Sequence, residues 1–134
     1  MIFKSYLAEQ NINSIATDLI LFFGENIGLK NEFKKKIKSN NKNIKTITFF
    51  QEEIVKDENK FFREILNVSL FEKEKIYIIE QANDKILEIL EKIKSDIDNQ
   101  KIYLFADLLD KKSKLRNFFE KSKNTSAIAC YADN

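Results

Sequence analysis

The sequence predicts an α/β domain in which helices cover both faces of a parallel five-stranded sheet, a three-layer α/β/α arrangement. Five short runs rich in β-branched and aromatic residues recur along the 134-residue chain, and amphipathic segments lie between them. The runs are nearly continuous rather than alternating, which is typical of parallel strands buried on both faces. Strand and helix in repetition favour right-handed crossovers within a single domain.

The elements follow from local periodicity, because the chain has only two glycines and no proline to mark its turns. The predicted strands are DLILFF at 18–23, TITFF at 46–50, KIYII at 75–79, KIYLFA at 101–106 and AIACY at 127–131. The predicted helices are 29–37, 51–66, 84–97 and 112–122, each with apolar residues three and four apart. A short extra helix is expected over 5–10.

Composition excludes several classes of function. Lys and Arg number 23 against 21 Asp and Glu, and this net charge of +2 does not predict strong non-specific binding to DNA. The chain has no histidine, the commonest general base and metal ligand, and its single cysteine cannot form an internal disulfide. We therefore expect no metal, no cofactor and a reducing, cytoplasmic location. The amino terminus is not a signal peptide, and no run is long enough to span a membrane.

The first strand runs into a segment that resembles a degenerate phosphate-binding loop. A working loop reads GxxxxGK[ST], and here Gly24 and Lys30 are in register, with Gly28 one position early. Leu29 stands where the second glycine belongs, and Asn31 replaces the hydroxyl that binds Mg²⁺. These departures favour an ordinary turn with Gly24 at a special dihedral, and a P-loop NTPase remains the alternative.

The remaining carboxylates lack catalytic partners. Glu80 ends the third strand and Gln81 follows it, whereas an ATPase needs an acidic pair there. We interpret Glu80 as a solvated carboxylate and Asp107, after the fourth strand, as a loop residue or helix cap. Two acidic groups are expected at helix starts, Glu52 with Glu53 and Asp107 with Asp110. We expect no catalytic residue in this domain.

Three further features have simple interpretations. Cys130 is expected to be a buried, inert thiol inside the last strand. The lysines at 34–36 are expected on a solvated helix face. The basic run from Lys111 to Lys123 is read as a solvated face, with a nucleic-acid-binding module as the alternative function.

The turn before the third strand contains an adjacent apolar pair. Ser69, Leu70, Phe71 and Glu72 are followed at once by charged residues. Two neighbouring side chains in a turn seldom both reach a core, so an exposed pair would make a protein-binding plug. The residues by themselves leave both burial and exposure open.

Three stretches, in their order and spacing, resemble the delta subunit of the bacterial DNA polymerase III clamp loader. They are LILFFGENIGLKNEF at 19–33, NVSLFEKEKIYIIEQAN at 67–83 and LFADLLDKKSKLRNFFEKS at 104–122. The resemblance covers nearly the whole chain. It implies an AAA+-like module that has lost ATP binding and hydrolysis, in agreement with the departures at Leu29, Asn31 and Gln81.

The resemblance also implies a role and partners. In that family the apolar pair of this turn enters a hydrophobic pocket on the sliding clamp, the beta subunit, and helps to hold the ring open. That role falls on Leu70 and Phe71, with Ser69 and Glu72 flanking the contact. The chain, 1–134, is then an amino-terminal domain that stops before the lid and collar domains through which the other loader subunits assemble. DNA contact and the DNA-directed DNA polymerase activity belong to the full assembly.

Overall fold

The computed structural model describes residues 2–3, 15, 17–66, 74–94, 97 and 100–131. The strands are β1 Ile2–Phe3, β2 Leu19–Phe23, β3 Lys45–Phe50, β4 Lys75–Ala82, β5 Gln100–Ala106 and β6 Thr125–Ala129. The helices are α1 Ile27–Asn40, α2 Gln51–Lys56, α3 Glu58–Leu66, α4 Leu87–Ile93 and α5 Lys114–Lys121, with a 3-10 helix at Asp84–Ile86 before α4. The helix expected over 5–10 lies outside the described residues.

The strands form one sheet in the order β1-β6-β2-β5-β4-β3, and every pair is parallel. The α/β prediction and its five parallel strands are confirmed. Among the described residues a sixth strand, the two-residue β1, extends the sheet beside β6.

Two apolar clusters cover the sheet, one on each face. Ile54 of α2, Phe61 of α3, Leu90 of α4 and Phe119 of α5 belong to the larger cluster. The second cluster contains Phe33 and Ile37 of α1, packed on Phe22, Tyr103 and Phe105. The path from β2 to β3 runs across the sheet in one direction and the later connections run back, which places α1 on the opposite face from α2–α5.

The observed elements correct the predicted ones at several places. The helix predicted over 51–66 is two helices, because Asp57 interrupts it and its Oδ1 accepts the N–H of Lys60 at 3.2 Å as a cap for α3. The segment predicted as a helix over 84–97 begins as a 3-10 turn, and α4 ends at Ile93. β6 spans 125–129, so Cys130 follows the strand instead of lying inside it, although it is buried as expected.

The interpretation of all five runs as continuously buried is wrong for β3. This strand lies at the edge of the sheet, and each of its six residues is exposed or half-buried, with Phe50 45% exposed. Among the described residues no helix is both long and apolar enough to cross a lipid bilayer.

Candidate functional site

The candidate site lies at the carboxyl ends of β2 and β5. These strands are neighbours, yet the helices that follow them, α1 and α5, lie on opposite faces of the sheet. In open α/β sheets, ligands bind in the crevice that such a reversal creates. The backbone N–H of Gly24, after β2, donates to the carbonyl of Asp107, after β5, at 3.1 Å. The degenerate loop of the sequence therefore lies at the expected ligand crevice.

Gly24 is required by its packing. Its φ is +128°, in the region that side chains avoid, and a Cβ built there would lie 2.1 Å from the carbonyl oxygen of Cys130. That carbonyl accepts the N–H of Asn26 at 3.0 Å, while the Cys130 N–H donates to Phe23 at 2.6 Å. The turn is the one predicted for Gly24, and it is tied to the end of β6.

At Gly28, neither the packing nor the backbone conformation requires a glycine. It lies in the first turn of α1, and its nearest neighbour would be the Asn26 side chain, 3.7 Å from an added Cβ. Asn26 caps the helix by accepting the N–H of Leu29 at 3.0 Å. Leu29, which replaces the second glycine of a phosphate loop, is half-buried in this turn.

The ammonium group of Lys30 is held inside the crevice. Its Nζ donates to the carbonyl of Ala106 at 3.0 Å and lies 3.5 Å from Oδ1 of Asp107. The Lys30 side chain is only 8% exposed, whereas that of Asp107 is 97% exposed. The buried carbonyl is therefore the main partner of the cation, because the exposed carboxylate is screened by water.

Lys34 and Glu80 form an ion pair beside Lys30. The Nζ of Lys34 lies 2.7 Å from one carboxylate oxygen of Glu80 and 2.8 Å from the other, and both side chains are 23% exposed. The same ammonium lies 4.8 Å from the centre of the Phe105 ring. The sequence interpretation of Glu80 as a solvated carboxylate is wrong, and so is the solvated position assigned to Lys34.

Gln81 has a strained backbone. Its φ of 55° is the one positive value among the described non-glycine residues, and the β4–β5 register shifts between Ile79 and Ala82. The shift falls at the end of β4, and the Gln81 side chain is exposed. The second carboxylate that an ATPase needs is replaced here by an amide on a distorted strand end.

Of the two acidic pairs predicted at helix starts, one lies there and the other does not. Glu52 and Glu53 lie in the first turn of α2, as predicted. Asp107 and Asp110 do not lie in the first turn of α5; both belong to the loop before it, where Asp110 accepts the N–H of Lys112 at 2.8 Å.

The N-cap of α5 is Ser113, whose hydroxyl accepts the N–H of Arg116 at 3.2 Å, and sequence reasoning missed a second capping residue, Asp84. Oδ1 of Asp84 accepts the hydroxyl of Ser113 at 2.6 Å and the N–H of Leu115 at 3.1 Å. The Ser113 hydrogen bond holds the pKa of Asp84 below its ordinary value, against the opposing effect of partial burial. No local pattern could reveal this cap, because 29 residues separate Asp84 from Ser113.

The predicted clamp contact, Ser69 to Glu72, lies outside the described residues. The residues that flank it, Leu66 and Glu74, lie at the amino edge of the sheet, opposite the crevice, because β4 starts there. Two carbonyls at the end of α3 are anchored to the sheet: the Tyr77 hydroxyl donates to Glu64 at 3.0 Å, and the Gln100 amide donates to Ile65 at 2.8 Å. The described chain before residue 67 therefore ends in a helix that is hydrogen-bonded to the sheet.

The arginine of the basic run, Arg116, has several partners within the protein. The guanidinium of Arg116 lies 4.9 Å from the centre of the Phe23 ring, donates to the carbonyl of Leu109 at 2.9 Å and pairs with Glu120 at 3.3 Å. The lysines of the run are exposed, as predicted. Within the described part of the chain, no group of three carboxylate, thiol or imidazole side chains could hold a metal ion.

No protein-family model matches the chain, and no curated protein sequence does. Solved structures are similar to it. The clamp loader delta protein of Bacillus subtilis (YqeN) matches with a TM-score of 0.68 at 13% identity, over 97% of this chain and 42% of that one. RIF2 of Saccharomyces cerevisiae matches with a TM-score of 0.62 at 12% identity, over 97% and 54%.

Domain III of the replication initiation protein DnaA of Thermotoga maritima also matches, with a TM-score of 0.55 at 8% identity over 97% of this chain and 60% of that one. At such identities the likeness establishes the fold alone, an α/β fold that this chain shares with these three proteins. The predicted resemblance to the clamp loader delta subunit is confirmed at this level.

Proposed function

We propose that this chain is the clamp-binding module of a clamp loader subunit and that it grips the sliding clamp without hydrolysing ATP. Leu70 and Phe71 enter an apolar pocket of the clamp, and Ser69 and Glu72 flank the contact. The fold shared with a clamp loader delta protein supports this function, although the chain spans only 42% of that protein's length.

The observation that carries the proposal is the contact between Lys30 and the carbonyl of Ala106. In a working phosphate loop this lysine reaches the outer phosphates of the nucleotide. Here its ammonium is held at 3.0 Å by a buried backbone oxygen. Asn31 offers no hydroxyl to Mg²⁺, and the carboxylate of Glu80 is paired with Lys34. These internal partners support the part of the proposal that assigns no ATP hydrolysis to this module.

The grip follows from burial of apolar surface. Burying a leucine and a phenylalanine stabilises a complex by about 3–5 kcal/mol before the cost of ordering the segment. The anchored end of α3 gives the segment a fixed base on one side. A binding partner shifts an equilibrium only by its differential affinity, so the grip opens the clamp to the extent that it prefers the open ring.

The clamp contact is tested by measuring binding of the chain to an immobilised bacterial sliding clamp by surface plasmon resonance. Replacing both residues, Leu70→Ala with Phe71→Ala, should weaken binding by about 100-fold, as expected for a loss of roughly 3 kcal/mol. The matched control, Val55→Ala with Leu108→Ala, removes two apolar side chains that are exposed at the opposite edge of the sheet. It should leave the affinity unchanged. Equal affinity of the two double variants for the clamp would contradict the proposal.

The alternative of a P-loop NTPase is tested by calorimetry with ATP and Mg²⁺. The proposal expects no saturable heat, because Lys30 and Glu80 have internal partners. It also expects clamp affinity to be the same with and without nucleotide. Saturable, Mg²⁺-dependent binding that is lost in Lys30→Met would favour the NTPase.

The proposed function also implies a location and a set of neighbouring molecules. A clamp loader subunit acts in the cytoplasm of a bacterium, beside the other loader subunits and close to DNA. The module itself requires no metal or cofactor to grip the clamp, since the contact is apolar.

A further inference from the structure

A groove runs between α4 and α5 on the face that carries the larger apolar cluster. Two adjoining surface depressions form it, one of about 570 Å³ and one shallow and open beside α5, and they share Phe118 and Ser122. The half-buried side chains of Leu87 and Phe118 contribute apolar surface to the wall. The groove follows the eight residues of α5, which span about 12 Å.

Lysines line this groove in excess over the acidic residues described there, although Lys114 lies close enough to Asp84 to help lower the pKa of that carboxyl. The lysines come from α4, from α5 and from the loops at either end of α5: Lys94, Lys112, Lys114, Lys121 and Lys123. In the described ranges none of these five ammonium groups forms an ion pair, whereas Lys92, outside the groove, pairs with Glu58. Glu91 and Asp18 are the acidic residues among those that line it. The groove therefore combines an apolar wall with an excess of positive charge.

The charge pattern fits a peptide better than a nucleic acid. Arg116, the residue type best suited to phosphate, is engaged by Phe23, Leu109 and Glu120. Carboxylates within the groove repel a continuous phosphate backbone, but a peptide can place its acidic residues away from them.

We propose that this groove binds an acidic segment of a partner protein that carries one apolar anchor residue. The anchor packs against Leu87 and Phe118, and carboxylates on either side meet the unpaired lysines. A groove of this length holds about eight residues of a helical segment or about four of an extended one. The proposal concerns α4 and α5 and is independent of the clamp contact at 69–72.

The test is fluorescence anisotropy with a labelled synthetic peptide of about eight residues, rich in Asp and Glu around one central Phe. The wild-type chain should bind it saturably at low ionic strength and more weakly as salt is added. Lys112→Glu with Lys121→Glu should weaken binding at least about tenfold. The control Lys35→Glu with Lys38→Glu makes the same charge change at exposed positions of α1, on the other face, and should bind as the wild type does.

A second peptide with Gly in place of Phe separates the two parts of the site. It should bind several-fold more weakly than the first, because the apolar contact is missing while the protein is unchanged. No saturable binding by the wild type, or equal loss in both lysine variants, would overturn the proposal. So would tighter binding of single-stranded DNA of equal charge than of the peptide, which would identify a nucleic-acid groove.

Discussion

The Nζ of Lys34 lies 2.7 Å from Oε1 of Glu80 and thereby joins α1 to the end of β4 across the mouth of the crevice. Both residues are ordinary in the sequence, one within a run of three lysines and the other at a strand end. Their pairing gives the strand-end carboxylate an internal cation where an ATPase would place a metal ion. This relationship bears on the proposed loss of nucleotide chemistry, and the strength of the ion pair can be measured.

We expect the Lys34–Glu80 pair to contribute about 1 kcal/mol of coupling energy to folding, because it is partly shielded from solvent and also contacts Phe105. Urea unfolding of Lys34→Met, Glu80→Gln and the double variant would give this value. A double variant whose loss equals the sum of the single losses would show that the pair is not coupled.

Alanine at the two glycines should have opposite effects. Gly24→Ala should destabilise the chain by several kcal/mol or prevent folding, because its Cβ would lie 2.1 Å from the carbonyl oxygen of Cys130 at a φ of +128°. Gly28→Ala should stabilise it by about 0.5–1 kcal/mol, since alanine is the better helix former and the space is open. Thermal unfolding of both variants is the measurement, and equal shifts would contradict the assigned geometry.

Asp84 should stabilise the fold in a pH-dependent manner. Its pKa is lowered in the folded chain, chiefly by the Ser113 hydroxyl, so its contribution is present above the pKa of the unfolded chain, near 4, and is lost as pH falls through the folded pKa. Asp84→Asn should lower the free energy of unfolding by about 0.5 kcal/mol at pH 7, because it removes a negative charge at the amino end of α5. The difference should vanish in strong acid, so an equal difference at both pH values would exclude the cap.

Tyr103 should limit stability in alkali. Burial raises its pKa to about 12, so the stability that depends on its neutral hydroxyl is complete below pH 10 and is lost as pH rises towards 12. The Tyr103→Phe variant should therefore unfold less than the wild type between pH 10 and 12. Circular dichroism of both chains across this pH range is the measurement. Identical alkaline unfolding transitions of the two chains would show that ionisation of Tyr103 does not destabilise the fold.

Much of the fold could be predicted from local pattern. Runs such as 19–23 and 101–106 are continuously apolar because their strands are buried on both sides, and steps of four residues, such as Phe33 to Ile37, mark the buried side of α1. Asp57 shows the limit of this approach. Its capping preference competes with helix propensity within an amphipathic stretch, and periodicity alone could not show which would prevail.

The sequence by itself determined the α/β class, the turn at Gly24 and the departures at Leu29, Asn31 and Gln81 from a phosphate-binding loop. Only the tertiary structure decided where charges and caps find their partners. Strand order makes β3 an exposed edge, brings Lys34 to Glu80 and sets Asp84 at the start of α5. These contacts join residues far apart in the chain, and their distances depend on how the strands are ordered in the sheet, which local periodicity does not encode.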